Sequence, residues 1–173
     1  MNTSPSSVSG FTLVELMIVV AVAGVLAMMV IPSFKSVTQS QQVKNASFEL
    51  YAALSQARSE AIKRDRNVTL TANSNADHEI GWVISAADGS IIRNQDSIKG
   101  VAIRVCNLTG MGLSFRRNGR AENIDGSAFT PSAPTFEIYA ANTTAAASPF
   151  TLCTTLELSG MPRSRQGVCP PCP

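Results

Sequence analysis

Residues 10–31 read GFTLVELMIVVAVAGVLAMMVI, and no other stretch of the 173-residue chain restricts its fold so severely. Positions 16–31 are apolar throughout, and across the 21 residues 11–31 the only charge is Glu15. At 1.5 Å per residue a helix over that run is about 31 Å long, which matches the hydrocarbon core of a bilayer. A carboxylate at the centre of a membrane helix costs about 2.5–3.5 kcal/mol, and less near an end. Glu15 therefore needs a compensating interaction. A cut between Gly10 and Phe11 supplies one. The new α-ammonium of Phe11 lies four residues from Glu15, in the same first helical turn, where the positive end of the helix dipole also favours a carboxylate.

An uncleaved signal anchor and a cleaved secretory signal are the plainer explanations. A secretory signal has an apolar region of about 7–15 residues followed by a small-residue cleavage site. Here the run is longer and Gly10 precedes it. Gly10, Phe11 and Glu15, with Pro32 just beyond the run, resemble the class III signal of type IV pilins and type II secretion pseudopilins. The resemblance implies a prepilin leader over 1–10, cleavage after Gly10 by a prepilin peptidase, N-methylation of Phe11 and a role for Glu15 in filament assembly. The leader MNTSPSSVSG differs from the family habit in lacking Lys and Arg, so the Met1 amine is its one cation.

Pro32 removes a helix hydrogen bond and typically kinks the chain. From 33 to about 66 there is no further Pro or Gly, and Val43, Ala46, Leu50, Leu54, Ala57 and Ala61 recur at spacings of three or four. The pattern predicts one helix from Phe11 to about Arg64, roughly 80 Å long. Its transmembrane half covers 11–32, where it is apolar all round, and an amphipathic half covers 33–66.

Residues 67–173 then read as a β-rich head. Runs at 68–72, 81–85, 90–93, 101–106, 112–117, 135–140 and 150–158 are short, β-branched or aromatic, and partly alternating. Asn118 followed by Gly119 predicts a hairpin turn, both residues tolerating positive φ. Segments 127–134 and 141–149 are rich in Ala, Ser, Thr and Pro and read as loops. Trp82, Phe115, Phe136, Tyr139 and Phe150 are the expected aromatic core. The fold class is α+β: a long N-terminal helix, transmembrane then amphipathic, packed on an antiparallel head.

The four cysteines, Cys106, Cys153, Cys169 and Cys172, all lie late in the chain. In a periplasmic head an even count reads as two disulfides, with three pairings open. The strand-like setting of Cys106 and Cys153 favours joining those two, which leaves Cys169 to Cys172 in the tail. A four-cysteine zinc site is the rival, but only Cys169 and Cys172 have ligand spacing. No metal or other cofactor is expected.

Net charge is +2 with 15% charged residues, so no global basic field exists to hold nucleic acid. The single histidine, His78, sits in a polar stretch, and no phosphate loop or nucleophile–base set is present. The chain does not read as an enzyme and no small-molecule substrate is expected. Local basic clusters remain. Lys63, Arg64 and Arg66 close the long helix, Arg116, Arg117 and Arg120 flank the hairpin turn, and Arg163 and Arg165 lie in the tail.

The segments LSFRRNGRA and LELSGMPRSRQ, in that order behind a long helix, resemble the GspH/FimT-type minor pilin domain. In competence pilins of that type, arginines of the matching C-terminal motif bind DNA. That makes Arg163 and Arg165, together with Arg116, Arg117 and Arg120, the candidate DNA contacts. Met161 stands after Gly160 where the family pattern places its first Arg, and the basic pair falls two residues later. The resemblance implies a minor pilin of a type IV pilus that primes or caps assembly, with a type II secretion pseudopilin and a DNA-binding competence pilin as alternatives. Implied partners are the prepilin peptidase, other minor and major pilins, an inner-membrane assembly platform, membrane lipid before assembly, and DNA. The implied location is the bacterial inner membrane, single-pass with a periplasmic head, then the tip of the pilus after assembly.

Overall fold

The computed structural model describes residues 10–73, 81–110, 112–130, 132–146, 148–167 and 169–170, with the side chains of 29–33 left aside. Leader positions 1–9, His78 and Cys172 lie outside the described residues. The chain divides into two compact units, one up to Thr38 and one from Gln39. Helix α1, Leu13–Arg64, contributes to both and continues through position 32.

In the first unit every side chain from 13 to 28 is exposed, as expected of a helix that is apolar all round and has no core of its own to face. Among the described residues no helix is long and apolar enough to cross a membrane, so the span expected over 11–32 is not found there. Positions 29–31, which complete the apolar run in the sequence, fall outside the described side chains.

In the second unit the predicted apolar stripe of α1 is buried: Val43, Ala46, Leu50, Leu54, Ala57 and Ala61 are all at most 2% exposed. They join one core with inward residues of two antiparallel sheets. The first sheet has the order β3-β2-β1-β5-β6. Its strands are β1 (Val68–Ala72), β2 (Trp82–Ala86), β3 (Ile91–Gln95), β5 (Gly112–Phe115) and β6 (Ala121–Asn123). The second has the order β4-β7-β8-β9. It consists of β4 (Val101–Cys106), β7 (Thr135–Ala140), β8 (Leu152–Leu156) and β9 (Pro162–Gln166). Period-two alternation explains which residues turn inward: Val68, Leu70, Leu113 and Phe115 from one sheet, Ile103, Phe136, Ile138 and Leu156 from the other.

Four expectations change. The segment expected to be a tail is strand β9, an edge strand that opens with Pro162, a position where the missing N–H is tolerated. Phe150 is only half-buried, whereas Phe129, inside an expected loop, reaches the core. Tyr139 is buried but belongs to the opposite face of β7 from Phe136 and Ile138.

The fourth change concerns the cysteines. Cys153 is bonded to Cys169, which excludes both expected pairings, Cys106 with Cys153 and Cys169 with Cys172. Register gives the reason. Cys106 faces Thr135 of β7, which in turn faces Thr155 of β8, so β7 separates Cys106 from Cys153. Two strand spacings are about 9.6 Å, beyond the roughly 7 Å that a disulfide spans between Cα atoms. Cys153 instead faces Arg165 on β9, and Cys169, shortly beyond the end of that strand, has its Cα atom 5.5 Å from that of Cys153. Cys106 is itself disulfide-bonded, and the bond between Cys153 and Cys169 takes both thiolates away from any zinc site. Replacing both Cys153 and Cys169 with serine is expected to lower stability by about 3 kcal/mol, since the bond closes a loop of sequence separation 16. A urea titration of the oxidised protein against this variant measures the difference.

Candidate functional site

The start of α1 is built by Thr12. The Glu15 amide donates to Thr12 Oγ1 at 3.3 Å, and the Leu16 amide donates to the Thr12 carbonyl at 3.2 Å. Thr12 is therefore the N-cap and Glu15 the third helical residue, the T-x-x-E spacing of a capping box. That spacing is a sequence signal for a helix start independent of the cleavage motif. Helix α1 accordingly opens at Leu13 and not at Phe11, so Phe11 stands outside the first turn that holds Glu15. Glu15 is the acidic residue of that turn, set among exposed Leu13, Val14, Leu16 and Met17. Its carboxylate lies where the unpaired amides and dipole of the helix favour negative charge.

The arginines fall on three supports. At the helix end, Arg64 Nε lies 2.6 Å from Glu60 and Lys63 Nζ lies 3.8 Å from it. The Arg64 hydrogen bond, with the charges of Lys63 and Arg64 adding, holds the Glu60 carboxyl below its usual value. On the turn between β5 and β6, Arg116 is paired with Glu122, whereas exposed Arg117 and Arg120 make no ion pair among the described residues. On β9, Arg163 Nε lies 2.5 Å from Glu157, and Arg165 makes no ion pair among the described residues. Ser164 between them is turned the other way, 2.7 Å from Thr154 Oγ1 and 3.5 Å from Ser47 Oγ on α1. Arg163 and Arg165 thus share the outer face of an edge strand.

Arg58 ties two of these supports together. Its Nε donates to the Gly119 carbonyl at 3.2 Å and its Nη1 lies 2.9 Å from Met161 Sδ. Met161, which takes the family's first Arg position, is thereby turned toward a cation. Both turns close in the same way, with Gly119 N on Arg116 O at 2.7 Å and Gly160 N on Glu157 O at 2.8 Å. Gly119 and Gly160 take φ of +79° and +77°. Asn118 does not share the positive φ, so the turn is not the two-residue type expected. It is a longer hairpin turn whose last residue is a left-handed glycine.

Among known families, Type II transport protein GspH matches residues 46–165, and the prokaryotic N-terminal methylation motif matches residues 5–31. Two fimbrial proteins of Pseudomonas aeruginosa are each 38% identical over 82 residues, 47% of this chain and 53% of theirs. The chain thus spans about half the length of the curated relatives it matches. In structure it is similar to the type IV minor pilin FimU of Pseudomonas aeruginosa, with a TM-score of 0.55 and 24% identity over 75% of this chain and 91% of that one. It is also similar to the minor pseudopilin EpsH of the Vibrio cholerae type 2 secretion system, with a TM-score of 0.50 and 14% identity over 72% of this chain and 97% of that one. These structural likenesses show the fold. The relatives are structural pilins and pseudopilins, not enzymes. A family match across most of the head, behind a methylation motif at the start of α1, makes the chain a member of the GspH family of pilins and pseudopilins.

Proposed function

We propose that the chain is a minor pilin of a type IV pilus that primes or caps filament assembly. The observation that carries this reading is Glu15, the one charge in an exposed apolar helix start. A prepilin peptidase cuts after Gly10 and leaves Phe11 as a methylated N-terminus. The apolar half of α1 is held in the inner membrane by lipid, with the head in the periplasm, until the assembly platform moves it into the filament. There Glu15 meets the Phe11 ammonium of a neighbouring pilin, minor or major. Phe11 precedes the cap of its own helix, which leaves it free to serve the carboxylate of another subunit. Intact-mass analysis of membrane-extracted protein should find a chain beginning at Phe11 with one methyl group on its amine. A chain beginning at Met1 in a pilus-bearing strain opposes the reading.

The family description favours a second reading, a pseudopilin of a type II secretion system. The chemistry at Gly10, Phe11 and Glu15 is the same, so the filament in which the chain is found decides. Pull-down of the tagged chain, with recovery of pilus subunits or of secretion subunits, separates the two.

DNA contact is supported by one feature of β9: Arg163 and Arg165 lie on one face, where both guanidiniums can reach phosphates. Removing one arginine–phosphate pair should flatten the salt dependence of binding by about one unit of slope. Gel-shift titration of the Arg163→Gln/Arg165→Gln variant should show both weaker binding and a flatter salt dependence. Unchanged affinity removes β9 as the DNA-binding element.

A further inference from the structure

Three segments converge where α1 ends: the helix itself, the β5–β6 turn and the β8–β9 turn. Arg58 reaches from the helix to both turns. A Cβ built on Gly119 meets Ile62 Cδ1 at 2.8 Å, and the Ala121 amide donates to the Leu158 carbonyl at 3.4 Å. The helix leaves Ile62 outside and the β8–β9 turn leaves Leu158 and Met161, at 50%, 49% and 45% exposure. Exposed apolar residues are ordinary singly, but three from two segments joined by Arg58 on one end face form a patch of the kind that marks contact sites.

The charges around this patch are uneven. Arg116 and Arg163 are each matched by a carboxylate, Glu122 and Glu157, while Lys63 and Arg64 share Glu60. Arg117 and Arg120 are exposed and make no ion pair among the described residues, so the rim on the β5–β6 side carries uncompensated positive charge. Phosphates would satisfy that rim and leave Ile62, Leu158 and Met161 in water. A protein surface satisfies both, with an apolar side chain over the patch and carboxylates at its edge. Apolar centres with polar rims, enriched in Met and Arg, are the usual composition of such contacts. The supporting turns are fixed by Arg58 and by two left-handed glycines, so little ordering is needed on binding.

We propose that this end face docks a second protein subunit through an apolar side chain flanked by carboxylates. The identity of that subunit as another pilin rests on the proposed role in assembly; the docking surface does not. The test places a photoreactive benzophenone side chain at Leu158 of the full chain, in cells that produce it with its filament. An adduct whose partner peptide carries Asp or Glu beside an apolar residue is expected. Its yield should fall about tenfold when Arg117→Glu and Arg120→Glu are introduced together, since close interfacial charge pairs couple strongly. Both arginines are exposed, so the variant should retain its fold, and an unchanged thermal melt checks this. Ile62→Asp should reduce the yield similarly. An adduct insensitive to charge reversal, a nuclease-sensitive adduct, or no adduct at all overturns the inference. If the chain never enters a filament, the assembly reading fails, while the adduct formed by membrane-bound chain still decides the docking surface.

Discussion

Replacing Gly160 with alanine is expected to destabilise the head by about 3 kcal/mol or more. Two effects combine. At φ +77° a Cβ crowds its own backbone, which costs about 1–2 kcal/mol for a residue other than glycine. In addition, a Cβ at Gly160 falls well inside the van der Waals radius of the Gly119 carbonyl oxygen and 3.2 Å from Arg58 Cδ. Backbone is the obstacle there, so a rotamer change cannot relieve it. The turn must retreat, and the Arg58 bonds to Gly119 and Met161 that join helix and sheets go with it. At roughly 2–4 °C per kcal/mol the melting temperature should fall by about 6–12 °C. Gly126→Ala supplies the control, because Gly126 has φ +83° but no atom within 4 Å of its Cβ position. It should show the backbone cost alone. Equal losses in the two variants would mean that the packing between the turns contributes nothing. Full-length protein in detergent, unfolded by urea, gives both values.

Much of the head was legible because two periods are strong in this sequence. The stripe from Val43 to Ala61 recurs at helical spacing without interruption, and every member is buried. Strands β1, β4 and β7 match their predicted bounds because apolar and polar residues alternate there between clear turn residues. Strand β9 is not legible because Pro162, Arg163 and Arg165 look like a solvated tail, while its inward residues are only Pro162 and Ser164, the latter held by hydroxyls. Its signal was the turn. Asp88, Asn118, Asp125 and Ser159 each precede a left-handed glycine and each accept a bond from the amide two residues on. Ser159 and Gly160 are therefore the same hairpin element as Asn118 and Gly119. The disulfide could not be read from spacing at all. It depends on which strand lies between two cysteines, and β7 enters between β4 and β8 only in three dimensions. The candidate site divides the same way. Gly10, Phe11 and Glu15 lie close together and could be named from the chain, whereas the end face brings Ile62 of the helix to Leu158 and Met161 of a turn distant in sequence.

Glu15→Ala is expected to lower the number of surface filaments about tenfold or more when this chain is the only copy of its kind in the cell. Removing one member of an ion pair buried among apolar helices leaves the other charge uncompensated, at about 3–5 kcal/mol. In the proposed filament the abandoned charge would be the Phe11 ammonium of a neighbour. The same substitution makes the 11–31 run more apolar, so delivery to the membrane should improve or stay unchanged. That opposite sign separates an assembly defect from a failure to insert. Helix initiation survives as well, because the Glu15 amide bond to Thr12 Oγ1 is made by backbone and does not need the carboxylate. Glu15→Gln should behave like Glu15→Ala, since it keeps the shape but not the charge, and Glu15→Asp should retain part of the function. Filaments are counted by electron microscopy, membrane-bound chain by immunoblot, and Phe11 methylation by mass spectrometry in each strain. Normal filament numbers in Glu15→Gln, with the chain present in them, would remove the carboxylate from the mechanism and leave the apolar helix alone to set subunit register.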